Sequence, residues 1–147
     1  MTKKMSTTNE VVDSPWIYNG KDVIEIPEGS YGFVYIITNL TNDRKYIGKK
    51  FFYTSKRKQV NKVRKRFKVD SDWKDYWSSS DELKADVEKL GKSNFKREII
   101  HFCETKGVTN YLEAKEQFQR AVLENKEEWY NTWIMVRVSR SHLNKLK

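Results

Sequence analysis

Cysteine is almost absent from this chain of 147 residues, and its scarcity excludes two kinds of architecture. The single Cys103 can form neither an internal disulfide framework nor a cysteine-rich zinc site. We expect Cys103 to be a small buried group on a strand. Long apolar runs are missing too, since none approaches the roughly 20 residues of a membrane span. No segment resembles a signal peptide, and these absences predict a soluble protein of the cytoplasm.

Acidic residues are missing from one long segment, residues 44–68, which we call the basic segment. The basic segment holds twelve bases, whereas the rest of the chain holds 17 bases and 20 acids, so all of the positive excess behind the net charge of +9 lies in the basic segment. A localised excess of positive charge predicts a site for a polyanion. The alternative is a solubilising surface without a partner, but such a surface would intersperse acids among the bases. The twelve bases are Arg44, Lys45, Lys49, Lys50, Lys56, Arg57, Lys58, Lys62, Arg64, Lys65, Arg66 and Lys68.

Length and composition predict one domain, since 147 residues fit a single core and 14% aromatic residues argue against disorder. We expect residues 1–12 to be disordered, residues 13–136 to form the domain, and residues 137–147 to form a basic tail. Asn19-Gly20 is a two-residue turn signal and predicts an N-terminal hairpin over residues 15–26.

Apolar patterning predicts the remaining elements. Residues 31–38 are apolar on both alternating faces, which is typical of a central strand. The stretch 50–70 has no clear period and is predicted as an extended loop or a ligand-ordered helix. A helix is expected to begin at a Ser79–Glu82 capping box and to end at Gly91, and a strand is expected over 95–102. A long helix from Asn110 and a short strand over 133–138 should follow. The apolar face of that helix would carry Tyr111, Ala114, Phe118, Ala121 and Val122.

Five short motifs occur in an informative order along the chain. They are Gly32-Phe33-Val34-Tyr35, Tyr46-Ile47-Gly48, Asn94-Phe95, Tyr111-Leu112-Glu113-Ala114 and Asn131. Between residues 31 and 131 this series resembles the GIY-YIG nuclease family, with Phe-Val-Tyr in place of the usual Gly-Ile-Tyr. The resemblance implies an α+β fold with a small antiparallel three-stranded sheet flanked by helices, here extended by the N-terminal hairpin. We expect Gly48 to end the second strand and to let its backbone approach a ligand.

The resemblance also implies a metal and its ligand. Glu113 corresponds to the family's metal-binding glutamate, and the metal would be Mg²⁺ or Mn²⁺, which take one or two protein carboxylates and keep several waters. From the residues alone, Glu113 is equally well a capping-box partner of Asn110.

Tyr46 corresponds to a general base or water-positioning group, and Tyr35 to its companion. An unperturbed tyrosine has a pKa near 10, so we expect Lys49 and Lys50 to assist Tyr46. For either tyrosine the alternative is a strand aromatic packed in the core.

Three further predictions concern phosphate contacts and support of the site. The family's phosphate-clamping arginine corresponds to Arg57, with Arg64 and Arg66 left open. Many members carry a histidine in this region and this chain has none, so Lys49 is expected to compensate. Asn131 is predicted to support the site by hydrogen bonding, or else to be a cap or turn residue.

The predicted function is that of a metal-dependent DNA endonuclease which hydrolyses phosphodiester bonds, weakly sequence-specific or directed by DNA structure. The expected partner is double-stranded DNA, and a phage-encoded member would act in a bacterial host. The alternatives are a non-catalytic nucleic-acid-binding protein on the same fold and a basic RNA-binding module. The expected phosphate contacts are Lys50, Lys56, Lys58, Lys62, Arg64, Lys65, Arg66 and Lys68.

Overall fold

The computed structural model describes residues 14–60 and 63–144, and for residues 56–67 it describes no side chains. The strands are β1 Trp16–Tyr18, β2 Lys21–Asp22, β3 Gly32–Asn39, β4 Arg44–Phe51, β5 Tyr53–Val60, β6 Val63–Asp70 and β7 Phe95–Cys103. The α-helices are α1 Asp81–Leu90 and α2 Lys106–Gln119, and short 3₁₀ turns occupy Trp73–Asp75, Lys92–Asn94 and Arg140–Leu143. The predicted disorder of residues 1–12 lies outside the described residues.

The main sheet has five strands in the order β2-β1-β7-β3-β4. Strand β1 runs parallel to β7, and the other pairs are antiparallel. The α+β class is confirmed, but the prediction of three strands is wrong. The N-terminal hairpin is shorter than predicted. It extends the main sheet, because Trp16 of β1 pairs with Arg97 of β7, and the Trp16 ring is buried. Asn19 and Gly20 both have positive φ, as the predicted turn requires.

Strand β3 is buried along its whole length, as its two apolar faces predict. Phe33, Tyr35 and Ile37 pack into one core with α1, whereas Val34 and Ile36 pack into a second core with α2. This alternation follows from the two-residue period of a strand. The sheet therefore separates two apolar layers, one under each helix.

Strand β7 confirms the prediction for residues 95–102 and ends at Cys103, which lies opposite Gly32 of β3. The thiol is buried, and burial raises its pKa to about 11. Cys103 is therefore the small buried strand residue that the sequence predicts.

Both helices begin at residues other than those predicted. The N-cap of α1 is Ser80, whose hydroxyl accepts from the Leu83 amide, so Ser79 is free for another contact. Helix α2 begins after Thr105, whose hydroxyl accepts from the Val108 amide. Because α2 starts four residues before Asn110, Glu113 lies inside the helix and is not a capping partner. Gly91 ends α1 with φ 93°, as predicted.

Three other predictions are corrected. The prediction of the apolar face of α2 is wrong. Val108 and Ala114 are buried, whereas Phe118 is 62% exposed and residues 121–122 lie beyond the helix. No strand forms over residues 133–138, where the alternation of apolar residues leaves Trp133 and Met135 exposed. The stretch 50–70 is neither loop nor helix, because β5 and β6 pair over eight residues each as a separate two-stranded sheet. We call this pair the ribbon.

Among the described residues, no helix combines the length and the apolar character that crossing a membrane requires.

Candidate active site

A cavity of about 280 Å³ opens at the edge of the main sheet, where β4, the base of the ribbon and α2 meet. Strand β4 forms that edge of the sheet, so groups from both layers can reach around it. The lining residues are Tyr35, Tyr46, Lys49, Lys50, Phe51, Tyr53, Thr54, Tyr76, Ser79 and Glu113. Of the six residues predicted as catalytic, Tyr35, Tyr46, Lys49 and Glu113 therefore converge on one cavity.

The two motif tyrosines are held together by Gly48. Tyr35 lies opposite Gly48 in the β3–β4 register, and a Cβ at Gly48 would collide with the Tyr35 hydroxyl. Gly48 lies inside β4 and does not end it. The group that approaches the Gly48 backbone closely is the Tyr35 side chain, where a ligand was predicted. The ring centroids of Tyr35 and Tyr46 are 6.3 Å apart. A side chain at position 48 would push both hydroxyls out of the cavity.

Two residues that the motifs did not reveal complete the group of hydroxyls. The Ser79 hydroxyl lies 3.2 Å from the Tyr46 hydroxyl, and the Tyr76 hydroxyl interacts with that of Tyr35. The place of Ser79 and Tyr76 in the site comes from the fold, which returns the chain to β4 after the ribbon.

A buried guanidinium holds the backbone at Tyr76. Arg97 of β7 lies between the rings of Trp16 and Trp77, 4.5 and 4.4 Å from their centroids. It donates to the carbonyl oxygen of Tyr76 at 2.8 Å, and to that of Ser14 at 3.0 Å. Burial lowers the pKa of Arg97 to about 10, so the group stays charged at neutral pH. This contact anchors Tyr76 from the side opposite the cavity.

The cavity tyrosines keep their protons at neutral pH. Burial raises the pKa of Tyr46; the hydrogen bond with Ser79 lowers it to a smaller degree, and the Glu113 carboxylate raises it again by less. Burial raises the pKa of Tyr35 well above its usual range. The ammonium groups of Lys49 and Lys50 are paired with the carboxylates of Glu113 and Asp72, and their assistance to Tyr46 stays a prediction. Tyr46 is therefore a neutral phenol that can donate or accept one hydrogen bond.

Glu113 reaches the cavity from α2, on the other side of β4. Its carboxylate is 13% exposed and lies 3.2 Å from the Lys49 ammonium. Burial raises the pKa of Glu113, and Lys49 only partly offsets this effect. A carboxylate held in a place that disfavours its charge has capacity for an additional cation.

The cavity fits a hard divalent cation with few protein ligands. Glu113 is the one carboxylate among the lining residues, the other oxygens are hydroxyls, and the volume leaves room for several waters. Mg²⁺ prefers this arrangement, because it dehydrates reluctantly and takes one or two carboxylates. Within residues 14–60 and 63–144 no three His, Cys, Asp or Glu side chains cluster as a metal cage, so a site that binds through a single protein carboxylate is the arrangement that fits.

Lys50 closes the side of the cavity next to the ribbon. Its ammonium lies 2.7 Å from the Asp72 carboxylate and 4.1 Å from the centroid of the Tyr76 ring. The hydrogen bond from Lys50 lowers the pKa of Asp72. Lys50 thus contributes positive charge at the rim and fixes the tyrosine beside it.

Asn131 lies outside the cavity and holds β4 from its outer edge. Its side chain accepts from the Ile47 amide at 3.0 Å and donates to the Ile47 carbonyl at 2.8 Å. Gln117, one turn after Glu113 on α2, donates to the same carbonyl at 3.0 Å. Both residues therefore secure the stretch of β4 between Tyr46 and Gly48, and the sequence offered no signal for Gln117.

The remaining predicted phosphate contacts belong to the ribbon or to the turn between its strands. Arg57 lies on β5 three residues beyond Thr54, the last of the described residues that line the cavity, and three residues span about 10 Å along a strand. Its role as the phosphate clamp stays a prediction, since its side chain lies outside the description. Lys56, Lys58, Arg64, Lys65 and Arg66 occupy the ribbon, Lys68 lies near its base, and Lys62 lies outside the described residues.

Comparison with protein families gives one match, to the model described as "Putative endonuclease segE, GIY-YIG domain", over residues 16–134. Comparisons with curated proteins and with solved structures found no match. The matched range contains the five strands of the sheet, both helices, the ribbon and every residue that lines the cavity. A GIY-YIG domain is a nuclease domain, which makes nucleic acid the class of substrate. The chain belongs to the GIY-YIG endonuclease family, in its segE branch.

Proposed function

We propose that the protein is a divalent-metal-dependent endonuclease that hydrolyses phosphodiester bonds of double-stranded DNA. The observation that carries the proposal is the convergence of the Glu113 carboxylate, the Tyr46 hydroxyl and the Lys49 ammonium on one cavity at the base of a basic ribbon. The ribbon is a two-stranded sheet separate from the main sheet. Cutting is expected to be weakly sequence-specific or directed by DNA structure.

Four of the lining residues have a part in the proposed reaction. Glu113 would hold the cation, and a bound divalent cation supplies charge neutralisation on the phosphate and an activated water. The neutral Tyr46 hydroxyl orients the attacking water or a phosphate oxygen by a hydrogen bond, because its proton stays on the phenol oxygen at neutral pH. The Lys49 ammonium binds a phosphate oxygen, and Tyr35 holds its neighbours in place through its buried ring. Preorganised charge of this kind supplies much of the rate of phosphoryl chemistry.

The test is the nicking of supercoiled plasmid by wild type and by Glu113→Gln, with Mg²⁺, with Mn²⁺ and with a chelator. The substitution keeps the shape of the side chain and removes its charge, so nicking should fall at least 100-fold while DNA binding persists. Glu116→Gln is the matched control, because Glu116 lies on the same helix but pairs with His101 and Arg120 outside the cavity.

Wild type that binds plasmid but never nicks it, under any of these conditions, would favour a non-catalytic nucleic-acid-binding protein. Normal nicking by Glu113→Gln would remove Glu113 from the reaction and leave its position unexplained.

A further inference from the structure

The pairing register of the ribbon sorts its residues onto two chemically different faces. Residues that pair directly across two antiparallel strands share a face, and successive residues alternate between faces. One face carries the pairs Tyr53–Asp70, Ser55–Lys68, Arg57–Arg66 and Gln59–Arg64, and we call it the arginine face. The other carries Thr54–Val69, Lys56–Phe67, Lys58–Lys65 and Val60–Val63, and we call it the lysine face. All three arginines of the ribbon therefore share a face, whose pair at the base of the ribbon is Tyr53–Asp70.

The same register places like charges directly opposite each other. Arg57 is paired with Arg66, and the next pair along the ribbon is Lys58 with Lys65. Directly opposed like charges destabilise a strand pair, and a two-stranded sheet is marginal even without them. A polyanion between or beside these residues would reverse the sign of that interaction. These like-charge pairs therefore destabilise the ribbon, and a bound nucleic acid would relieve the repulsion between them.

The shape of the ribbon selects one form of nucleic acid. Eight residues a strand give a length of about 26 Å, and the major groove of B-form DNA admits a two-stranded ribbon. The major groove of A-form RNA is too narrow for such an element. Arginine and glutamine are also the residue types that pair with the guanine and adenine edges displayed there.

The base of the ribbon is fixed to the rim of the cavity. Phe52 is fully buried, its amide donates to the Tyr31 carbonyl at 2.9 Å, and its carbonyl accepts from the Ser71 amide at 2.7 Å. Tyr53 then lines the cavity, and the Lys68 ammonium lies 4.5 Å from the centroid of its ring. DNA held by the ribbon is therefore held at a set distance from Glu113 and Tyr46.

We propose that the arginine face of the ribbon enters the major groove of duplex DNA and contacts guanine edges, so that the ribbon selects where the cavity cuts. This inference rests on the proposed function in taking duplex DNA as the substrate. It goes beyond phosphate contact, because it assigns base recognition to one face and leaves the lysine face to the backbone.

The experiment compares two variants that each lose two charges from opposite faces, Arg64→Gln/Arg66→Gln and Lys58→Gln/Lys65→Gln. Binding is measured to a guanine-containing duplex and to the same duplex with 7-deazaguanine, which lacks the N7 acceptor of the major groove. The lysine variant should flatten the salt dependence of binding by about two units, for two lost phosphate contacts, and the arginine variant should flatten it less. Wild type and the lysine variant should bind the 7-deazaguanine duplex about fivefold or more weakly, and the arginine variant should not distinguish the two duplexes.

Further measurements distinguish loss of base recognition from loss of the ribbon's fold. Arg64→Lys/Arg66→Lys keeps every charge, so it should retain the salt dependence and still lose the sensitivity to 7-deazaguanine. An RNA duplex of the same sequence should bind more weakly to wild type than the DNA duplex does. Sequenced plasmid cut sites should show a guanine bias that the arginine variants lose and the lysine variant keeps.

The two proposals fail in different ways. Equal effects of the arginine and lysine variants on all readouts, no response of wild type to 7-deazaguanine, or equal binding of the RNA duplex would overturn the groove assignment while plasmid nicking continued. Sensitivity to 7-deazaguanine without any metal-dependent nicking would overturn the nuclease proposal and leave the groove assignment standing.

Discussion

At the scale of single residues, burial disfavours negative charge on the side chains that line the cavity. The phenols of Tyr35 and Tyr46 are held neutral by burial, and Glu113 is held in a place that raises its pKa. Such a site is less stable than an apolar one of the same shape, and binding of a cation offsets part of that cost. The pattern is typical of a site prepared for a charged ligand.

Tyr46→Phe should lower the nicking rate by about 100-fold and change the DNA affinity little, because it removes one hydroxyl and keeps the ring packing. In the described part of the chain that hydroxyl contacts only Ser79, so the melting temperature should stay within a few degrees of wild type. Single-turnover rates and thermal unfolding measure the two effects. Tyr31→Phe is the control, since Tyr31 packs beside Tyr53 outside the cavity lining. A large fall in melting temperature with an unchanged rate per folded molecule would make Tyr46 a core residue.

Glu113→Gln should stabilise the metal-free protein at neutral pH. Burial raises the folded-state pKa of Glu113, so the folded state binds its proton more tightly than the unfolded state, and stability falls as pH rises through that window. The difference in melting temperature between the variant and wild type should be small near pH 4 and should grow in favour of the variant toward pH 7. Added Mg²⁺ should raise the melting temperature of wild type alone. A pH-independent difference would show that the carboxylate is not strained.

At the scale of elements, the edge of the sheet is protected by a segment that is not a strand. Residues 128–131 run along the free side of β4, with the Lys45 amide donating to the Glu128 carbonyl and the Tyr130 amide donating to the Lys45 carbonyl. Asn131 then supplies side-chain atoms where the next backbone groups would be. The strand that carries Tyr46 thereby has hydrogen-bond partners on both sides, which limits pairing with other chains.

Asn131→Ala should destabilise the fold by about 1–3 kcal/mol, because it leaves the buried Ile47 amide without its acceptor. Turnover should fall as well, since Ile47 lies between Tyr46 and Gly48. Chemical denaturation gives the first effect and plasmid nicking below the melting range gives the second. Asn125→Ala is the matched control, because the Asn125 amide bonds an exposed turn. A variant with full stability and no activity would place Asn131 in the chemistry itself.

The sequence predicted those features that depend on neighbours in the chain. Gly91, Asn19-Gly20 and β7 came from local patterns, whereas the four cavity residues Tyr35, Tyr46, Lys49 and Glu113 came from the resemblance to the GIY-YIG family. The register of β1 beside β7, and the return of Tyr76 and Ser79 to Tyr46, depend on contacts between distant residues, and no local pattern encodes them. The ribbon was missed because lysines and arginines occupy both of its faces, which hides the alternation that identifies a strand.

At the scale of the whole molecule, the two helical layers pack on opposite faces of one sheet, and the functional groups other than Glu113 of α2 lie on its strands or are anchored to them. Tyr35 is on β3, Tyr46 and Lys49 are on β4, and Arg97 on β7 anchors the loop of Tyr76. Loss of pairing between β3 and β7 would therefore dismantle both cores and the cavity together. We expect thermal unfolding of the cavity and of the cores to coincide as one transition.

The buried thiol of Cys103 can report the opening of the main sheet. With a pKa of about 11 and no access to solvent, the thiol reacts with a labelling reagent only when β7 separates from Gly32 of β3. Labelling at several reagent concentrations should follow the population of the opened sheet, and saturating duplex DNA with Mg²⁺ should slow it. Labelling as fast as that of an unfolded peptide would contradict the packing around Cys103. Cys103 has no part in the chemistry, yet the rate of its labelling thus measures the fraction of molecules in which the sheet that carries the site is open.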